Sequence, residues 1–142
     1  MKKMRSLITA TVAASVLVVT TAAWSHGDVT PQSVDVSTLA ALGDEWLEEN
    51  PYSGNVEAIE VGKSAYNQNC ARCHGLQAIS GGIAPDLREL EPGIEGDEWY
   101  AYRVRNGAVR NGVPYMPKMA DFLSQESLWA IRAWLETKYG EE

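Results

Sequence analysis

The chain has 142 residues, with 12 Lys and Arg against 19 Asp and Glu, a formal net charge of −7. That is one domain's worth of sequence, and its acidic balance excludes a nucleic-acid binder built on a basic patch.

The chain opens with the basic stretch MKKMR, followed over residues 7–19 by a mostly apolar run. Ala23-Trp24-Ser25 then places small residues at the −3 and −1 positions of a cleavage site. This predicts an export signal over residues 1–25, with His26 as the mature N-terminus and 117 residues left. Cleavage after Ala23 fits the same rule. An uncleaved anchor is the other reading, but the run is short for a span of about 20 residues and is broken by Thr and Ser. Losing Lys2, Lys3 and Arg5 leaves 9 basic residues against 19 acidic ones, a net of −10. Such a charge suits a soluble exported protein with charge-guided partners.

Residues 26–54 are acidic and punctuated by Pro31, Gly43, Pro51 and Gly54. They are expected to run as an extension over the surface, with a turn of helix at 44–49. A domain over residues 55–142 follows. Asn55 is a good N-cap for a first helix, with Glu57 and Glu60 favourable near its start. Ala58, Val61, Gly62, Ala65 and Asn69 share one side, with Tyr66 beside them. Gly75 is a natural stop. Residues 76–96 read as loop. A second helix is expected from a cap at Asp97 to Asn106-Gly107, with Arg103 and Arg105 in its last turn. Residues 108–123 read as irregular. Ser124 caps a last helix whose Leu128, Ile131 and Leu135 form an apolar stripe with Trp134 alongside. No convincing strand stands out, so the expected class is all-α with three main helices.

The chemistry lies in NQNCARCHG, where Cys70, Cys73 and His74 form C-x-x-C-H. Two nearby cysteines could also pair as a disulfide, and a thioredoxin-like redox site would want a βαβ setting that this chain does not offer. A closed zinc site needs four protein ligands, and beyond these three only His26 remains. The favoured reading is covalent attachment of one haem c. Cys70 and Cys73 bind its two vinyl positions and His74 binds one face of the iron. The other face takes Met or His, or stays open. Met1 and Met4 leave with the signal, so the candidates are Met116, Met119 and His26. Met116 precedes Pro117, which holds it extended and suits a strap reaching inward. A space-filling role is the alternative for either methionine. His26, at a free terminus, is either a solvated side chain or part of a terminal copper chelate.

These residues resemble class I cytochromes c, through VGKSAYNQNCARCHG, APDL, YMPKM and LWAIRAWL, over about residues 55–139. The resemblance implies that Gly62 lets the first and last helices cross closely, against Tyr66 and Trp134. It implies that the Pro85 carbonyl holds His74, that Leu87 lines the haem pocket, and that Met116, before a proline, is the second iron ligand, with Met119 as fallback. Arg103, Arg105 and Arg110 are candidates to neutralise the haem propionates, Arg105 foremost, or are simply surface arginines. More narrowly, HGDVTPQ, NPYSGN and the haem stretch resemble the periplasmic cytochromes that accompany quinoprotein ethanol dehydrogenases. That implies an electron donor carrying pyrroloquinoline quinone (PQQ), an alcohol dehydrogenase, and a terminal oxidase or another cytochrome as acceptor. Asp44, Glu45, Glu48 and Glu49 are candidate docking residues. The rival function, a haem enzyme or gas-binding protein, needs an open or displaceable sixth site, and no distal histidine offers itself as an acid or base.

Overall fold

The computed structural model describes residues 30–141. The expected signal over residues 1–25 and His26 lie outside them.

Helix α1 spans Val56–Asn69 and starts where Asn55 predicts, its side chain accepting from the Ala58 N–H at 3.0 Å. Helix α4 spans Gln125–Glu136, with Ser124 accepting from Ser127 N–H. The two cross at Gly62. A Cβ built there would lie 1.9 Å from the Ala130 carbonyl oxygen, so only hydrogen fits between the backbones. Beside the crossing, Tyr66 packs on Trp134 with ring centroids 4.5 Å apart. Every residue of α4 from Ser127 to Leu135 is buried, so α4 is the axis of the core rather than a one-faced surface helix.

The segment before α1 covers the flank of α4 that α1 leaves open. Trp46 packs on Trp129 at 5.7 Å. The N–H groups of Leu42 and Leu47 donate to Glu126 at 3.0 Å and Gln125 at 2.6 Å. Tyr52 is buried, and its hydroxyl donates to the Ala40 carbonyl. The turn of helix expected at 44–49 is not there. Those residues form bends, because the backbone is held by α4 side chains instead of by its own i→i+4 bonds.

Helix α3 spans Ile94–Asn106, with Gly93 at φ +90° before its first turn. Asp97 is therefore not its cap, as the sequence suggests, but lies one turn inside and buried. Its carboxylate accepts from Arg132 Nε at 2.6 Å and from Asn50 N–H at 2.8 Å. Arg132 is fully buried and also donates to the Glu91 carbonyl at 2.6 Å. The Asn50 side chain continues the chain of bonds to Glu136 at 2.8 Å. One ionic network thus ties the leading segment to α3 and α4. A buried ion pair holds only when further hydrogen bonds complete it, as these do for Asp97.

The helical class holds, but a small two-stranded antiparallel hairpin stands where residues 108–123 were expected to be irregular. Strands β1 (Ala108–Arg110) and β2 (Val113–Met116) pair Arg110 with Val113 across Asn111-Gly112. Both turn residues have positive φ, +51° and +78°, the signature of a tight hairpin turn. A short helix α2, Ala71–His74, lies between α1 and the first loop.

Candidate cofactor site

The cysteine cluster forms at the joint of two helices. Cys70 closes α1, donating its N–H to the Tyr66 carbonyl at 2.8 Å. The chain turns at once into α2, where the N–H groups of Cys73 and His74 both donate to the Cys70 carbonyl, at 3.1 and 2.9 Å. One helical turn thereby brings Cys70, Cys73 and His74 to the wall of a single cavity. Both thiols are free, and burial, with Cys73 nearby, pushes the Cys70 thiol up to about 12. Tyr66 clamps the end of the motif, its hydroxyl donating to the Gly75 carbonyl at 2.8 Å. Gly75 has φ +83°, and a Cβ there would meet the Ile79 carbonyl oxygen at 1.8 Å.

His74 is oriented from across the loop. Its Nδ1 lies 2.9 Å from the Pro85 carbonyl oxygen. A carbonyl only accepts, so Nδ1 carries the proton and Nε2 keeps its lone pair for a metal. Pro85 is held by a bracket that sequence reasoning missed. Asp86 accepts from Ser80 N–H at 3.1 Å and from Arg88 Nε and Nη2 at 3.0 and 2.9 Å. The Arg88 guanidinium holds the Asp86 carboxyl well below the usual carboxylate range. The signal was present in PDLR, since an Asp two residues before an Arg can form this local turn.

The cavity has a volume of about 650 Å³, within the range of sites for drug-sized or cofactor-sized molecules. Pro85 and Leu87 line it beside the cysteine cluster, and Met116, Pro117 and Met119 line it from the stretch after α3. Leu90, Tyr100, Val104 and Leu128 supply apolar wall. Met116 is half-buried at the end of β2, while Met119 is 5% exposed within the core. Two residues expected nearby need correction. Arg105 does not line the cavity: its guanidinium lies over the Trp46 ring, 5.3 Å from the centroid. Arg110 lies over Tyr115 at 4.7 Å and is absent from the wall as well. Arg72 and Arg103 are the arginines that reach it. Thr30, Pro31 and Gln32 also border the cavity, and none of them was expected there. Gln32 is fixed to the end of α1 by a reciprocal pair: its N–H donates to Asn69 Oδ1 at 2.6 Å and Asn69 Nδ2 donates to its carbonyl at 3.2 Å.

Two free thiols, an imidazole with one nitrogen committed, two thioethers and apolar walls together fit covalently bound haem, in a way that four-ligand zinc does not.

Comparison with known proteins agrees. Residues 57–135 match the family model described as cytochrome C oxidase, cbb3-type, subunit III. Cytochrome c550 of Pseudomonas aeruginosa is 64% identical over 124 residues, covering 84% of this chain and 86% of that protein. Chloroplastic cytochrome c6 of Chlamydomonas reinhardtii is 30% identical over 119 residues, 80% of this chain and 75% of that one. Quinohemoprotein alcohol dehydrogenase ADH-IIG of Pseudomonas putida is 36% identical over 83 residues, which is 58% of this chain but 11% of that protein. No solved structure matches significantly. With more than half the chain under a cytochrome family model and 84% of it aligned to a cytochrome c550 at 64% identity, the chain belongs to the class I c-type cytochromes, carriers of electrons on one covalently bound haem and not enzymes.

Proposed function

We propose that this cytochrome is exported, loses residues 1–25, and works in the periplasm as a soluble monomer. It takes single electrons from a PQQ-dependent alcohol dehydrogenase and passes them toward a terminal oxidase or another cytochrome. The fold is read as the class I cytochrome c arrangement, with α1, α3 and α4 around one haem. The observation that carries this is the cavity where Cys70, Cys73 and His74 meet Met116.

In this reading Cys70 and Cys73 form the thioether links. His74 Nε2 and Met116 Sδ are the iron ligands, and Leu87 helps to wall the pocket. Met116 is preferred to Met119 because it is half-buried and precedes Pro117, whereas Met119 already packs in the core. When bound, haem supplies a one-electron iron couple whose potential methionine ligation raises. The Pro85 carbonyl fixes the tautomer and angle of His74, so the ligand does not reorganise between charge states. Leu90, Val104 and Leu128 keep water from the pocket. The donor assignment draws on the resemblance of HGDVTPQ and NPYSGN, and on the stretches of two quinohemoprotein alcohol dehydrogenases that resemble this chain.

Met116→Ala should abolish the red-edge charge-transfer band of the oxidised protein, and Met119→Ala should keep it; the opposite pattern would move the ligand role to Met119. Stopped-flow reduction by quinoprotein dehydrogenases of different alcohol specificity tests the donor. Rapid reduction by an alcohol-loaded dehydrogenase is expected, and equal, slow reduction by all of them would remove this assignment.

A further inference from the structure

The outer face of α3 carries a cluster that holding haem does not require. Glu95, Glu98, Trp99 and Tyr102 follow one another at i, i+3, i+4 and i+7, so they share one helical face. Trp99 and Tyr102 are 54% and 55% exposed. Their rings lie nearly parallel, with centroids 6.1 Å apart and planes at 21°. The Arg103 guanidinium sits over both, 4.6 Å from one centroid and 5.7 Å from the other. The same four residues line a shallow recess in the surface. Trp99 also lines the haem cavity, as does Arg103. One aromatic side chain therefore belongs to both the solvent face and the cavity wall.

Charge decides what fits there. The two carboxylates outnumber the one guanidinium, Arg103, beside the rings, and the remaining negative charge favours a surface with cations around an apolar centre. A second copy of this chain would set glutamate against glutamate in a two-fold contact, which costs energy. The exposed acids at 44–49 are the rival surface, but they lack an apolar centre. Trp46, the aromatic in that stretch, is half-buried and turned onto Trp129, whereas Trp99 and Tyr102 stay more than half exposed.

We propose that the Glu95/Glu98/Trp99/Tyr102 face of α3 docks an electron-transfer protein that presents lysine or arginine side chains around an apolar patch. This rests on reading the chain as an electron carrier. The contact is small and transient, as fast exchange demands. With haem bound, the protein would take one electron from the reduced partner, which would be oxidised by one electron, with no bond or proton changing hands. A partner docked here meets Trp99 and Arg103, two side chains that also line the cavity.

The test uses isotopically labelled, haem-loaded, oxidised protein. It is titrated with a basic c-type cytochrome carrying zinc in place of iron, a redox-silent stand-in. Chemical-shift changes should centre on Glu95, Glu98, Trp99 and Tyr102, and should fade as salt is raised beyond about 0.15 M. Tyr102→Ala should weaken binding about tenfold, as loss of an aromatic anchor does. Glu95→Gln/Glu98→Gln should weaken it about threefold and flatten its salt dependence. Tyr102 does not line the cavity, so the midpoint potential of Tyr102→Ala should match the wild type. Shifts centred on 44–49, no binding, or variants that bind like wild type would overturn the proposal. Reduction by an ethanol-loaded quinoprotein dehydrogenase is followed in parallel. If that fails while the shifts fall on α3, the donor is wrong and the surface stands. If it succeeds while the shifts fall elsewhere, the donor stands and the surface falls.

Discussion

Replacing Gly62 by alanine adds one methyl group at the crossing of α1 and α4. Built on the present backbone, that carbon lies 1.9 Å from the Ala130 carbonyl oxygen, 2.4 Å from its carbon and 2.9 Å from the Ile131 nitrogen. All three obstacles are backbone, so no rotamer change relieves them. The helices must separate by more than about 1 Å, and a gap of that size forfeits a quarter to a half of each contact's dispersion energy. The Tyr66–Trp134 contact and the packing of Ala58 and Ala65 lie along the same seam. Overpacking costs about 1–3 kcal/mol where side chains can yield, and this site belongs at the upper end. Alanine returns about 1 kcal/mol of helix propensity. The net loss is then about 2 kcal/mol, which lowers the melting temperature by roughly 8 °C in a domain of this size. Thermal unfolding of the haem-loaded protein, followed by far-ultraviolet circular dichroism, measures it. Gly81→Ala is the control, since nothing lies within 4 Å of its Cβ and its φ is not positive. A Gly62→Ala melting temperature equal to or above wild type would refute the close-crossing argument.

Arg132→Met should destabilise the fold by about 3–5 kcal/mol, because it leaves the buried Asp97 carboxylate without its cation. Adding Asp97→Asn should recover part of the loss while keeping an acceptor for the Asn50 N–H, and denaturant titration of both variants reads the difference. Acid should loosen the loop that holds Pro85. Asp86 titrates lower in the folded chain than in the unfolded one, chiefly through its hydrogen bonds from Arg88. Its support is therefore complete above about pH 4 and is lost as pH falls toward the folded value. Glu126, lowered mainly by the Leu42 N–H, acts in the same direction on the leading segment. The oxidised spectrum followed from pH 5 to 2 should change, and Asp86→Asn should begin that change at higher pH.

Local signals carried most of what was legible in advance. Asn55 and Ser124 start helices because a side-chain oxygen beside orphan N–H groups acts within three residues. The cysteine cluster is equally local, since one helical turn positions it. Asp97 misled because its partners, Asn50 and Arg132, lie 47 and 35 residues away, and their claim on the carboxylate outweighs a capping role. Arg105 misled in the same way, drawn to Trp46 on a segment that local pattern reading leaves on the surface. The hairpin was a different failure. Asn111-Gly112 between Val109 and Val113 is a hairpin signal, but Pro114 and strands of three and four residues hid it. That both methionines line the cavity is a long-range fact that spacing alone could not supply.

The meeting of Gly62 with Ala130 also sets an order of assembly. These partners lie far apart in the sequence, so the seam cannot close until α4 is available, and the long intervening stretch pays its closure entropy first. A chain ending before Gln125 would leave Ala58, Gly62 and Ala65 facing water, with the cysteines already presented at the end of α1. Helix α4 is thus the one that turns the tethering motif from an exposed segment into the wall of a pocket.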